Sequence, residues 1–381
     1  MKKFISIVLA IVMTFAFSAV AFAENAESPL QFNEDGKFKI MQVNDTQDTC
    51  DMNKKTVTFL KKALEQEQPD LVVIAGDMLS DMFPVPTKAR LEDALYDLGK
   101  IFDDAKVPFT MTFGNHDHDH EKTLPLNEMV EVFMQFDYFQ YAEGCDEGTF
   151  NLPVLSSDGS HYALNVYMMD THNKHKDGGY DGVHPEQIEW YKQKSDELKA
   201  QNGGEVVPSF VFQHIPVKEV HQFFVEGEKG ADDSFFNFDN GKWYTPDWSL
   251  VEAEDCYVGE VPCSEDVDRT TGQYEAWLEK GDIIGAFFGH DHVINFVGET
   301  KDGITLGYNG GSGFNAYGLG DKRAVRVFEI DENDVENYTT RSVFYGDITG
   351  DRFDFYITDI LSTAAIAEIF RIFYKVFFFL K

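Results

Sequence analysis

Leu71-Val72-Val73-Ile74-Ala75-Gly76-Asp77 decides how this chain is read. Five apolar residues run without alternation and stop at a glycine and a carboxylate. Such a run is a strand buried on both faces, as in parallel sheets. The same grammar recurs outward from it. Lys37–Val43 ends at Asn44-Asp45-Thr46-Gln47, and Pro108–Phe113 ends at Gly114-Asn115-His116-Asp117. Further on, Tyr162–Met169 ends at Asp170, Ser209–Gln213 at His214, and Asp282–Phe288 at Gly289-His290-Asp291-His292. Helical spacing predicts helices over Asn53–Gln66, Leu91–Phe102 and Pro185–Gln201, the last opened by proline at its first turn. Strands over Asn295–Glu299, Ile304–Asn309 and Ala324–Ile330 close the unit. No Pro- or Ser-rich linker interrupts it, so one α/β domain is expected over 31–345. Gln222–Pro262 is rich in Gly, Asp and aromatics without a period, and reads as a long loop or lid.

The chain has 381 residues, 43% of them hydrophobic, enough for a core without disulfides. Its net charge of −34 excludes a broad nucleic-acid surface, because the field repels polyanions. A small anionic substrate stays compatible, since bound metal inverts the field locally. Residues 1–23 read as a secretory signal: Lys2 and Lys3, the apolar run Ile5–Val20, and a small-x-small site at Ala21-Phe22-Ala23. A bacterial, exported protein at the cell surface or outside it is expected. In an oxidising compartment Cys256 could pair with Cys263 and Cys50 with Cys145; four thiols are the alternative. Residues 357–381 form an amphipathic helix pattern, with Glu368, Arg371 and Lys375 on one face and Ile366, Phe370, Phe373 and Phe377 on the other. It would dock on its own domain or meet a membrane surface or partner. Asp347 to Asp354 spaces carboxylates like a calcium loop and resembles half of a dockerin repeat. Arg352 stands where glycine is wanted, so an acidic turn is expected.

The strand ends carry the chemistry. Asp45, Asp77, Asn115, His214, and His290 with His292 offer metal ligands in sequence. A mixed oxygen and imidazole set suits Mn, Zn or Fe. One shared carboxylate can hold two cations about 3.5–4 Å apart, which clamps a phosphoryl group and activates water.

These motifs resemble the calcineurin-like metallophosphoesterases: Asp45-x-Gln47, Gly76-Asp77, Gly114-Asn115-His116-Asp117, His214 and Gly289-His290-Asp291-His292. More narrowly, Phe212–Pro216, Gly289–Gly298 and Tyr308–Gly318 followed by Arg323 look like the fungal and plant purple-acid-phosphatase-like branch. The resemblance implies two packed mixed β-sheets flanked by helices, with ligands at one sheet edge. It implies two divalent ions, the first held by Asp45, Asp77 and His292, the second by Asp77, Asn115, His214 and His290. His116 would protonate the leaving oxygen, with Asp117 or Asp81 orienting it. The family's first motif normally ends in His; here it is Gln47, which could reach the first ion through its amide or turn away. No tyrosine follows Gly76-Asp77 closely, so a purple iron site is not implied. Asn115, Asn315, Tyr317 and Arg323 are candidate substrate contacts. The run His118-Asp119-His120-Glu121 reads as a solvated loop beside the site, with a further metal site as the alternative. Glycines 310, 311, 313, 318 and 320 read as a turn lining the pocket. The expected function is hydrolysis of a small phosphate ester by metal-activated hydroxide. The alternatives are a phosphodiesterase on nucleotides or lipid head groups, and a weakly catalytic, surface-attached binding module.

Overall fold

The computed structural model describes residues 29–48, 52–80, 86–229, 231, 233–237, 240–263 and 272–352. The signal segment, Cys50, Asp81 and the 357–381 segment lie outside them. Two mixed sheets carry the fold. The first runs, edge to edge, Thr339–Phe344, Ala324–Asp331, Lys37–Val43, Leu71–Ala75 and Phe109–Thr112. The last three are parallel; the first two pair antiparallel. The second runs Tyr257–Val258, Ile294–Glu299, Thr305–Tyr308, Ile283–Phe288, Ser209–Gln213, Tyr162–Met169 and Phe150–Leu155. Its central strands are parallel, and its outer pairs antiparallel.

Period-two geometry explains the layering, because successive side chains leave a strand on opposite faces. Ile40, Leu71 and Val73 join Val166, Met168, Phe210, Phe212 and Phe287 in the core between the sheets. Their neighbours Met41, Val72 and Ile74 face helices Lys54–Glu67 and Lys88–Asp104 on the outside of the first sheet. Tyr167, Val211, Ala286 and Phe288 do the same against helices Pro185–Gln201 and Gln273–Lys280. The order is therefore helix, sheet, sheet, helix, and both faces of each central strand are dry. That is why these strands read as unbroken apolar runs. The carboxyl ends of the parallel strands of both sheets bear the candidate residues.

The 222–262 segment departs from the expectation of a loop. Phe224–Glu226, Lys242–Pro246 and Phe235–Asn237 form a small antiparallel sheet, and Tyr257–Val258 extends the second large one. Aromatic pairs hold it: Phe235 lies 5.7 Å from Tyr244 and Phe236 5.6 Å from Trp243, ring to ring. Strands this short show no sequence period. Cys145, Cys256 and Cys263 remain thiols, so the 256–263 pairing does not form. Arg352 bonds Asp347 at 2.5 Å and Asp321 at 3.2 Å, closing the acidic turn as a surface ion cluster. Among the described residues no helix is long and apolar enough to cross a membrane.

Candidate metal centre

The loops after the strands are held in unusual backbone. Asp45, Gln47, Asp77 and His290 have φ of 53°, 40°, 51° and 77°. Non-glycine residues seldom adopt these values, and such residues gather at functional sites. Gln47 N–H donates to Asp77 O at 2.9 Å, and Asp45 N–H to Gly76 O at 3.1 Å, so the first two loops are stitched together. The third loop closes on them through glycine. A Cβ on Gly114 would stand 2.2 Å from Asp77 Oδ1, and one on Gly76 would stand 2.7 Å from Gly114 N. The Gly-Asp and Gly-Asn motifs therefore need their glycines for close approach.

Asp45, Asp77 and His292 bring three ligand atoms within 4.8 Å of one another, all buried. His292 Nε2 lies 3.0 Å from Asp45 Oδ1, and His214 Nε2 lies 3.1 Å from Asp77 Oδ2. The other ring nitrogens are committed. His214 Nδ1 meets the Ala75 carbonyl at 2.9 Å, and His292 Nδ1 meets the Tyr317 carbonyl at 2.9 Å. A carbonyl only accepts, so each Nδ1 carries hydrogen and, in the neutral ring, Nε2 presents a lone pair. That lone pair faces a carboxylate oxygen. Asp45 Oδ1 and His214 Nε2 are buried without a hydrogen bond. Acceptors converging with nothing to donate between them fit a cation, and the carbonyl partners are the outer contacts that orient ligating imidazoles. His290 Nδ1 lies 2.9 Å from Asn115 Oδ1, which joins two ligands expected for the second ion. Loss of solvation, helped by His214, pushes His290 down to about 3, leaving a neutral ligand. Asn44 Nδ2 and the His290 N–H both donate to Asp45 Oδ2, at 2.6 and 3.1 Å, fixing that carboxylate.

Gln47 does not turn away. Its Nε2 donates to Asp77 Oδ2 at 2.9 Å, so its amide borders the Asp77 carboxylate. Imidazole is a stronger donor to zinc than an amide. Gln47→His is expected to tighten zinc binding at one site and leave the other unchanged, read by titration of the stripped protein. Equal affinities in both proteins would place Gln47 outside the ligand set.

His116 follows Asn115 on the short helix Asn115–His118, and its N–H donates to Asp77 Oδ1 at 2.8 Å. Of the two carboxylates expected to orient it, Asp81 lies outside the described residues, and Asp117 faces elsewhere. Asp117 is fully buried and accepts from the N–H groups of Met78, Leu79 and Gly114, at 3.0, 2.9 and 2.9 Å. It pins the second loop to the third, and burial together with the Asp77 charge pushes it up to about 7. His116 Nδ1 instead meets Asp119 Oδ2 at 2.9 Å, and Asn173 Nδ2 holds the other Asp119 oxygen at 2.8 Å. The spacing of three on one helical turn is the sequence signal that points to Asp119. Asp119→Asn should lower turnover by about 10-fold or more, within the 10–100-fold range typical of outer-shell partners, with metal content unchanged. Losing a carboxylate beside an imidazole lowers its pKa. A group that must donate a proton then fails earlier as pH rises, so the alkaline limb of the rate profile moves to lower pH. An unmoved profile would deny Asp119 this role.

The 118–121 run is solvated only in part: Asp119 and Glu121 are exposed, and the two histidines turn inward. His118 reaches Asp170, and buried His120 meets the Ser80 carbonyl at 2.7 Å. Two of the expected substrate contacts are engaged elsewhere. Arg323 is buried, and its guanidinium donates to the Tyr317 and Ala316 carbonyls at 3.0 and 2.8 Å. Asn315 donates to Asp48 at 2.5 Å and accepts from Asn53 at 3.0 Å. Both shape the wall through these bonds. Tyr317 stacks on His292, 4.2 Å between centroids and 4° from parallel, with its hydroxyl bonded to Glu260 at 2.9 Å. The glycine turn supports the first loop: Gly313 N–H donates to Asp45 O at 3.1 Å.

Known proteins resemble this chain in sequence. The family model for calcineurin-like phosphoesterases matches residues 38–294. Probable inactive purple acid phosphatase 28 of Arabidopsis thaliana is 26% identical, over 82% of this chain and 80% of its own. Phosphatase DCR2 of Saccharomyces cerevisiae is 24% identical, over 86% and 57% respectively. Among solved structures, GAP50, the anchor in the inner membrane complex of Plasmodium, is 12% identical with a TM-score of 0.48, over 88% of this chain and 94% of its own. With five ligand-bearing loops inside the matched span, the chain belongs to the calcineurin-like phosphoesterase family.

Proposed function

We propose that this protein is an active, exported phosphomonoesterase with two divalent ions at Asp45, Gln47, Asp77, Asn115, His214, His290 and His292. The observation that carries the reading is His116. Its backbone is tied to Asp77, and its ring is tied through Nδ1 to Asp119. The other ring nitrogen, Nε2, is the atom that would carry a proton to a leaving oxygen. Bound there, the ions supply Lewis-acid activation of water and a clamp on phosphoryl oxygens. Asp77 and Asp45 would hold the ions, and Asn115, paired with His290, would join them. The Asp119–Asn173 chain fixes the ring of His116 before substrate arrives, a form of preorganisation. Relatives that carry the word phosphatase support a monoester over a diester. Rates on a phosphomonoester and a phosphodiester, measured side by side, test that choice. A diester preference would assign nucleotides or lipid head groups. Metal binding without turnover would assign a weakly catalytic binding module, in keeping with the word inactive in the plant relative's name. Export by residues 1–23 and surface contact through 357–381 belong to the same proposal. Fractionation of cells producing the full chain and the chain lacking 357–381 tests them.

A further inference from the structure

We propose that His118, Asp170 and His172 form a third metal site, for a single zinc-like ion, sharing no ligand with the dinuclear centre. Asp170 ends the strand Tyr162–Met169, His172 follows two residues later, and His118 ends the helix Asn115–His118. Their ligand atoms lie within 4.8 Å of one another. His118 Nε2 is 3.0 Å from each Asp170 oxygen, and His172 Nδ1 is 3.3 Å from Asp170 Oδ2. A tetrahedral zinc with ligands about 2.0–2.2 Å away has ligand edges of about 3.3–3.6 Å, close to these spacings. The His118 and Asp170 side chains are only 8% and 3% exposed.

The hydrogen bonds around His172 point to a cation. Gln187 Nε2 donates to Thr149 Oγ1 at 2.6 Å and to the Asp170 carbonyl at 2.9 Å. Gln187 Oε1 accepts from the His184 N–H at 2.6 Å, so the amide cannot flip without breaking three bonds. That oxygen faces His172 Nε2 at 3.1 Å, and Nε2 therefore carries the hydrogen. In the neutral ring Nδ1 then aims a lone pair at the buried Asp170 carboxylate, an acceptor against an acceptor. This is the device seen at His214 and His292, with a side-chain carbonyl as the outer partner. His184 stacks on the His172 ring at 4.0 Å and holds its plane. Three protein ligands leave one tetrahedral position for water. The next residue, Asn173, holds Asp119, so an ion here would also fix the loop behind His116. That consequence rests on the role proposed for His116; the site does not.

The test is zinc stoichiometry by elemental analysis of the full chain, stripped with chelator, reloaded with zinc alone and gel-filtered. Wild type is expected to hold one ion more than His172→Gln. Asp77→Asn, emptied at the dinuclear centre, is expected to keep one ion, which the added His172→Gln removes. The wild-type difference stands however many ions the dinuclear centre takes, so failure of one reading is separable from failure of the other. A melting transition for each protein reports folding, and His118→Gln replaces His172→Gln if the latter does not fold. Equal zinc content in wild type and the folded variant would overturn the site and leave a protonated imidazole paired with Asp170.

Discussion

Asp77→Asn is expected to lose both ions of the dinuclear centre together and, with them, turnover. Asp77 is the residue on which the site converges. Its Oδ2 stands 3.1 Å from His214 Nε2 and accepts from Gln47, while Oδ1 accepts from the His116 N–H. Burial would push this carboxyl up, but with no cation between them a protonated His214, itself raised against burial to about 10 by Asp77 and Asp45, acts with His116 to outweigh burial and hold it well below the usual carboxylate range; a bound cation would take the place of that proton. The charge is therefore present whenever the other ligands are competent. Asparagine keeps the shape, removes the charge and turns one oxygen into a donor. That amide cannot bridge two cations. Metal content after gel filtration reads the result, with the melting temperature as control for folding. Loss of only one ion would contradict the bridging role. His292→Ala should empty mainly the first position, and His214→Ala the second.

His116→Ala should lower turnover by about 10²–10⁴-fold while both ions stay bound, the range a positioned general acid contributes. The expected ligands all remain in place, because His116 touches Asp77 through its backbone N–H, which alanine keeps. What disappears is the ring held by Asp119. The remaining rate should also lose the alkaline limb that a titrating acid imposes. Full activity, or loss of metal, would show that His116 is not the proton donor.

The strand ends are legible in the sequence for a physical reason. A strand buried on both faces is mostly apolar, so the polar residues just past it stand out: Asp77 follows the unbroken run Leu71–Ala75 within two residues, and Asp45 and His214 come within two residues of apolar runs marked only by Gln42 and Gln213. What stays hidden depends on direction rather than composition. Asp117 and Asp119 are two residues apart on one short turn; the three-residue spacing from His116 hints at the second, but only the fold shows that the first is spent on three N–H groups. Arg323 beside a glycine-rich turn suggests an anion site, yet two carbonyls of that turn take its guanidinium. His118 and Asp170 are 52 residues apart, and nothing local relates them. The strands of three residues between 224 and 246 are too short to show alternation and are held by aromatic pairs instead.

The central claim is that this centre is both metal-loaded and catalytic. It is tested most directly by stripping the purified chain, reloading it with Mn²⁺ or Zn²⁺ and measuring hydrolysis of 4-nitrophenyl phosphate beside Asp77→Asn. Hydrolysis that depends on the added ion, stops with chelator and is absent from Asp77→Asn is the predicted result. A wild-type protein that carries its ions and hydrolyses neither this monoester nor the corresponding diester would contradict it.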